Sequence, residues 1–211
     1  MSDAPKIVGR EDGPLLVKGV SRMIGPDGAE IETKPAMALC RCGQSANKPF
    51  CDGSHNAAGF KSRGGDDKAE GPDRVFSYEG TQATVHFNPR LCAHAAECGR
   101  IAVSVFNPAQ KPWVQPDEGT VEQIEAVVAA CPSGALQMSA PGGSPQSRTP
   151  DRAQVVVQKD GPYWITGVQI ETDASAEMVL DDKYVLCRCG QSGNKPYCDG
   201  SHRGRGWKSG D

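Results

Sequence analysis

The chain has 211 residues, of which 37% are apolar and 6% aromatic, with 25 glycines and 16 prolines. This composition is poor in core-forming residues and rich in turn formers, so it predicts small domains that need a metal or disulfides for stability. The formal charge of −3 provides no basic surface for nucleic acid or an anionic membrane, and no apolar run is long enough to span a bilayer. We therefore expect no nucleic-acid or membrane partner.

Cysteine usage indicates the compartment. Nine cysteines would suggest a disulfide scaffold in a secreted protein. The number is odd, however, and the first six residues (MSDAPK) lack the apolar segment of a signal peptide. The sequence thus predicts a soluble protein of a reducing compartment, the cytoplasm.

The chain begins with a short β-rich unit. Residues 7–20 read as a strand pair interrupted at Gly13-Pro14, and the apolar run 37–39 predicts a buried strand. The same layout returns in the second half, with apolar runs at 155–157 and 184–186 around Gly161-Pro162. The duplicated unit therefore includes several strands.

A cysteine-rich loop follows the last strand of each unit. Residues 40–55 (CRCGQSANKPFCDGSH) return almost letter for letter at 187–202 (CRCGQSGNKPYCDGSH). Each copy has the spacing C-x-C-x8-C-x3-H, and the residues between the ligands are turn formers. A loop that supplies four soft ligands predicts a metal site. The candidate ligands are Cys40, Cys42, Cys51 and His55 in the first copy and Cys187, Cys189, Cys198 and His202 in the second.

The identity of the metal is open on spacing alone. Three cysteines and one histidine satisfy a tetrahedral zinc ion, which is the commonest structural use of this set. Zinc sites usually begin with C-x2-C or a wider pair, whereas each copy begins with C-x-C. The spacing therefore favours an iron–sulfur cluster modestly over zinc.

Both loops resemble the CDGSH iron–sulfur domain of mitoNEET-type proteins, through Cys-Asp-Gly-Ser-His and the preceding Lys-Pro-x-Cys. The resemblance implies a [2Fe–2S] cluster in each loop. It assigns Cys40 with Cys42 to one iron and Cys51 with His55 to the other. The corresponding pairs of the second loop are Cys187 with Cys189 and Cys198 with His202.

The resemblance also implies an architecture. Single-motif members of that family form homodimers with a shared β-sandwich, so we expect the repeats, at residues 1–65 and 151–211, to pack as an intramolecular pseudo-dimer in a monomeric chain. The alternative is two independent domains. The pseudo-dimer is favoured because small repeats rarely bury their apolar face alone. Asp52, Ser54, Asp199 and Ser201 are expected to orient the loops through hydrogen bonds.

A separate domain is predicted between the repeats. Charged and Gly/Pro-rich segments at 66–73 and 141–150 read as linkers and enclose residues 74–140. In residues 74–87, apolar and polar residues alternate on either side of Glu79-Gly80, which predicts a hairpin. Thr120 and Gln123 have the form of a capping box, and the helix they start carries Cys131 on its apolar face before Pro132 ends it.

Cys92, Cys98 and Cys131-Pro132 resemble the motif of single-cluster 4Fe–4S-type ferredoxins over about residues 74–140. The middle cysteine of that motif is replaced by Ala95, which cannot bind iron. Three thiolates suit a [3Fe–4S] cluster, whereas a [4Fe–4S] cluster would need His94, Glu97, water or hydroxide as fourth ligand. Two further alternatives are zinc bound with His94 and three ordinary buried cysteines.

The sequence contains no nucleophile–base constellation, Walker loop or dinucleotide motif. We therefore expect a non-enzymatic α+β protein with two [2Fe–2S] clusters and one cuboidal cluster. Its expected role is one-electron transfer to a redox partner. The alternatives are cluster transfer to an apo iron–sulfur acceptor or redox and iron sensing, and a zinc-bound interaction module.

Overall fold

The computed structural model describes residues 4–63 and 72–210. Most of the first predicted linker, residues 66–71, lies outside the described residues. The first repeat contains four strands and a one-turn helix: β1 (Lys6–Gly9), β2 (Leu15–Lys18), β3 (Met23–Ile24), β4 (Ala36–Leu39) and α1 (Ser54–Ala57). The predicted strand pair around Gly13-Pro14 is confirmed, because β1 and β2 pair antiparallel.

The middle region forms a three-stranded antiparallel sheet with helices against it. Its elements are β5 (Phe76–Glu79), β6 (Thr84–Phe87), α2 (Glu97–Ile101), α3 (Val121–Ala130) and β7 (Leu136–Ser139). The predicted hairpin and capping box are confirmed. Thr120 Oγ1 accepts from Gln123 N, and the Gln123 side chain accepts from Thr120 N.

The second repeat has the same element order as the first. Its elements are β8 (Gln154–Val157), β9 (Tyr163–Thr166), β10 (Gln169–Glu171), β11 (Lys183–Leu186) and α4 (Ser201–Gly204). The chain is thus a mixed α and β structure in which strands predominate. Among the helices of the described part of the chain, none is both long and apolar enough to cross a bilayer.

The two repeats exchange one strand each. One sheet has the order β10-β1-β2-β4, and the other has the order β11-β9-β8-β3. Strands β3 and β10 hold equivalent places in their repeats, and each pairs in parallel with the first strand of the other repeat. Each sheet therefore contains three strands from its own repeat and one from the other.

A single apolar core lies between these two sheets. Ile7, Leu15 and Leu39 from the first repeat pack with Val155 and Ile165 from the second, and all five side chains are buried. In β2 buried and less buried positions alternate, as expected for a strand with one covered face. This shared core fixes the ends of β4 and β11 relative to each other, and the two cysteine loops begin at these ends.

The middle region packs against the second repeat. Asn88 Nδ2 donates to Glu177 O (2.7 Å), and Gln137 Nε2 donates to Met178 O (2.9 Å). The ammonium group of Lys183, on β11, is buried and donates to two carbonyls in the last turn of α3 and to Arg148 O. These contacts hold the loop between β10 and β11, and β11 itself, against the middle region.

Candidate cluster-binding sites

The first loop brings its four candidate ligands into two pairs. Cys40 and Cys42 follow β4, and their Sγ atoms lie 3.6 Å apart. The loop then returns beside β4, and α1 presents His55 with its Nδ1 atom 3.3 Å from Cys51 Sγ. Two sulfur ligands of one tetrahedral metal, with bonds of about 2.3 Å, lie roughly 3.8 Å apart. Each pair therefore has the spacing of two ligands on one metal.

The second loop repeats this geometry. The Sγ atoms of Cys187 and Cys189 lie 3.7 Å apart, and Cys198 Sγ lies 3.6 Å from His202 Nδ1. Nδ1 faces the neighbouring sulfur in both loops, so the same ring nitrogen is available for a metal. Among residues 4–63 and 72–210, no three Cys, His, Asp or Glu side chains converge on one ion position. The described residues thus bring the candidate ligands together in pairs.

An aspartate–serine hydrogen-bond network shapes each loop, as predicted. Asp52 Oδ1 accepts from Ser54 N and Oγ, and its Oδ2 accepts from the backbone of Ala46. Asp199 makes the same bonds with Ser201 and Gly193. The bonds from Ser54 hold the pKa of Asp52 well below its usual range, so this acceptor stays ionised.

In the leading pair of each loop, one of the two thiols has a lowered pKa. The pKa of Cys40 is lowered to about 5 because its sulfur accepts a hydrogen bond from Cys42, whose own pKa is raised. The pKa of Cys187 is lowered to about 7 by the corresponding bond from Cys189. Thiolate is the form that binds soft metals, so these pairs have the donor chemistry of an iron–sulfur site.

The two loops contact each other through their glycines. Gly43 and Gly190 both have positive φ angles, 79° and 80°. A Cβ atom on Gly43 would lie 2.6 Å from Cys189 O, and one on Gly190 would lie 2.8 Å from Cys42 O. The Cys-x-Cys segments thus meet backbone to backbone, which places the two candidate sites side by side.

The three cysteines of the middle region line one cavity. Cys92 follows a 3-10 turn (Pro89–Leu91), Cys98 lies on α2, and Cys131 follows α3. Apolar side chains including Phe87 and Trp113 complete the cavity wall. Burial raises the pKa of Cys92 to about 12 and also raises the pKa of Cys98.

The loop between Cys92 and Cys98 is tightly wound around this cavity. His94 and Ala96 have positive φ angles of 53° and 66°, which non-glycine residues adopt only under local constraint. In a cuboidal cluster each thiolate binds a different iron, so its cysteines surround a cavity instead of converging on one point. The three side chains fit that requirement, and Ala95 lines the same cavity without offering a ligand.

The middle region contacts the second CDGSH loop directly. Ala93 packs against Val185 and Cys198, with Trp164 beside them. The His94 ring lies against Gly200, where a Cβ atom would be 2.6 Å from its Cδ2 atom. The second loop therefore contacts both the first loop and the middle region.

Three residues that matter for the loops were not among the predicted site residues. Tyr163 Oη reaches from β9 to the first loop, where it donates to Cys40 O (2.7 Å) and Pro49 O (3.1 Å). Arg41 and Arg188, between the leading cysteines, are buried and bond to backbone carbonyls of the β1–β2 and β8–β9 turns. The duplicated Cys-Arg-Cys could have pointed to the arginines, whereas Leu15 holds the position of Tyr163 in the first repeat.

Two protein-family models match parts of the chain. A model described as "Iron-binding zinc finger CDGSH type" matches residues 12–56 and 160–203. A model described as "Divergent 4Fe-4S mono-cluster" matches residues 78–141. The class of protein is thus an iron–sulfur protein in which two CDGSH regions flank a divergent mono-cluster region.

Similar curated proteins include two with substantial coverage. CDGSH iron-sulfur domain-containing protein 1 of Rattus norvegicus is 34% identical over 93 residues, which is 43% of this chain and 80% of that protein. The uncharacterized protein YjdI of Escherichia coli (strain K12) is 42% identical over 60 residues, which is 28% of this chain and 79% of that protein. No solved structure shows significant similarity to the chain. The chain belongs to the CDGSH iron–sulfur family, and it is an iron–sulfur-binding protein.

Proposed function

We propose that the protein is a non-enzymatic one-electron carrier with three clusters. Two [2Fe–2S] clusters are held by the Cys40–Cys42 and Cys51–His55 pairs and by their equivalents, Cys187, Cys189, Cys198 and His202. A [3Fe–4S] cluster is held by Cys92, Cys98 and Cys131. The alternative for the middle region is a [4Fe–4S] cluster with a non-cysteine fourth ligand.

The observation that carries this proposal is the contact between neighbouring sites. Cys42 and Gly190 meet at the backbone, and Ala93 packs on Cys198. One-electron transfer through protein requires short gaps between centres, and these two contacts support the proposal that the gaps are short. The imidazole of His55 or His202, in place of a thiolate, makes the cluster less negative and raises its reduction potential.

We also propose that the two repeats are an intramolecular pseudo-dimer, which would leave the chain monomeric. Its support is the exchange of β3 and β10 and the core that both repeats share. We also propose a reducing, cytoplasmic compartment, because all nine cysteines are needed as cluster ligands. A redox protein is the partner that this function needs.

Low-temperature EPR on anaerobically purified protein tests the cluster content. We expect a [3Fe–4S] signal in the oxidised sample and [2Fe–2S] signals after dithionite, with iron and sulfide counted on the same sample. The matched variant Cys131→Ser should lose the [3Fe–4S] signal and keep the others. An EPR-silent oxidised sample with iron for only two binuclear clusters would contradict the three-cluster carrier.

A second candidate function is cluster donation to an apo iron–sulfur acceptor. The half-exposed Cys51 and His55 favour it, because ligand exchange requires access to the cluster. Apo-ferredoxin and a ferredoxin reductase, offered to the same sample, separate the two functions. Faster cluster loss to apo-ferredoxin than reduction by the reductase would support donation over electron transfer.

A further inference from the structure

The two CDGSH sites have the same ligands but different surroundings. In the first loop Cys51 and His55 are half-buried and Asp52 is exposed. In the second loop the equivalent Cys198 and His202 are buried, with 1% and 5% of their surface exposed. The sequence of the loops does not account for this difference, since both have nearly the same residues.

The middle region produces the difference. Ala93 covers Cys198, and the His94 ring covers Gly200. Asn194 Nδ2 donates to Arg90 O at 3.0 Å, which fixes the second loop to the segment before Cys92. At the equivalent position in the first loop, Asn47 is exposed.

The outer face of the last strand is covered in the same way. All four residues of β11 are buried, whereas in β4 only Met37 and Leu39 are. A cluster can leave a protein only if its ligands separate and solvent or an acceptor reaches them. Ligands under a packed domain separate more rarely than ligands in an exposed loop.

We propose that the two CDGSH sites have divided roles: the first site exchanges its cluster with an apo acceptor, and the second retains its cluster under the middle region as a fixed centre. This inference rests on the cluster binding proposed above. The exchange transfers no electron. The [2Fe–2S]2+ core leaves three thiolates and one imidazole for four thiolates of the acceptor, whose thiols release four protons. The three thiolates that remain in the first loop and the solvent take up these four protons between them.

Pulsed thiol labelling of the holoprotein reads each site separately. The protein is incubated anaerobically with EDTA, samples are treated briefly with an alkylating reagent, and labelling of the peptides that contain Cys51 and Cys198 is followed by mass spectrometry. We expect Cys51 to be labelled roughly tenfold faster than Cys198, because the covered site must first open. Equal rates, or faster labelling of Cys198, would overturn the proposal.

Two matched variants test the cause. Asn194→Ala removes the bond to Arg90 and should speed the labelling of Cys198 several-fold while leaving Cys51 unchanged. Asn47→Ala is the control at the equivalent position of the first loop, and it should change neither rate by more than a small factor. If Asn194→Ala leaves the Cys198 rate unaltered, the middle region is not what retains the cluster.

The cluster content is measured independently of the labelling ratio. Iron, sulfide and EPR on the starting sample show whether both CDGSH sites are occupied, and a deficit there contradicts the proposed function. The ratio of Cys51 to Cys198 labelling is also measured on metal-free protein. In that sample only the surrounding polypeptide, and no cluster, protects the two thiols. Equal rates in the metal-free protein together with equal rates in the holoprotein would refute the division of roles, whatever the iron count.

Discussion

Strands β4 and β11 deliver the same ligands to two environments. On β4, Ala36 is exposed and Ala38 is half-buried, so the outer face is open. On β11, the equivalent Lys183 and Val185 are buried beneath the middle region. The ligand geometry stays nearly constant, with Sγ–Sγ distances of 3.6 and 3.7 Å in the leading pairs.

The two loops share their internal hydrogen bonds but differ in their contacts with the rest of the protein. The bonds within each loop, including those of Asp52 and Asp199, recur in both copies. The contacts that differ come from outside the loop. A duplicated binding site can therefore acquire a second role without any change in its ligands, when a neighbouring domain covers one copy.

The largest expected effect comes from removing the ammonium group that joins β11 to the middle region. Lys183 Nζ donates to Val128 O (2.7 Å), Ala129 O (3.2 Å) and Arg148 O (2.8 Å). Lys183→Met would leave these carbonyls, which include the last carbonyls of α3, without a donor. We expect a loss of about 3 kcal/mol in the free energy of unfolding.

Urea unfolding followed by near-UV circular dichroism measures this loss. Lys18→Met is the matched control, because Lys18 is an exposed lysine on β2 and its replacement should change stability by less than about 0.5 kcal/mol. Equal midpoints for the two variants would show that the Lys183 bonds do not hold the middle region to β11.

A smaller effect is expected from a pair of equivalent glycines. Gly53 and Gly200 have φ angles of 92° and 88°, so alanine should cost similar backbone strain at either position. A Cβ atom on Gly53 meets nothing within 4 Å, whereas one on Gly200 would meet the His94 ring. We expect Gly200→Ala to destabilise the protein by about 1 kcal/mol more than Gly53→Ala does, because the ring must move.

The double variant His94→Ala/Gly200→Ala isolates this contact. Added to His94→Ala, Gly200→Ala should lower the free energy of unfolding by the same amount as Gly53→Ala does in the unmodified protein. Urea unfolding measures both changes. An excess that persists in the double variant would mean that another contact, and not the His94 ring, distinguishes the two loops.

Local patterns made much of the fold predictable. The two cysteine loops, the strands before them, the hairpin before Phe87 and the capping box at Thr120 all depend on residues close together in the sequence. The metal-ligand types and spacing were likewise local, and they named the residues that the structure brings together in pairs.

The relation between the repeats could not be predicted in the same way. Strand β3 has two residues and β10 has three, too few to show a period, and each pairs with a strand far away in the sequence. The cover over the second loop also depends on distant contacts. Lys183 illustrates the difficulty, because lysine is rarely buried without partners and its three carbonyl partners lie 35, 54 and 55 residues away in the sequence.

The last expected effect tests how the second repeat supports the first loop. Tyr163 Oη donates to Cys40 O and Pro49 O, and the residue is fully buried. Tyr163→Phe should lower the free energy of unfolding by about 1–2 kcal/mol, because two buried carbonyls lose a donor. Tyr184→Phe is the control, since Tyr184 Oη donates to Val168 O within its own repeat.

If Tyr163 stabilises the exchanging site, Tyr163→Phe will speed EDTA-driven labelling of Cys51, and Tyr184→Phe will leave that rate unchanged despite a similar loss of stability. Equal acceleration in both variants would mean that global stability alone controls cluster loss from the first loop.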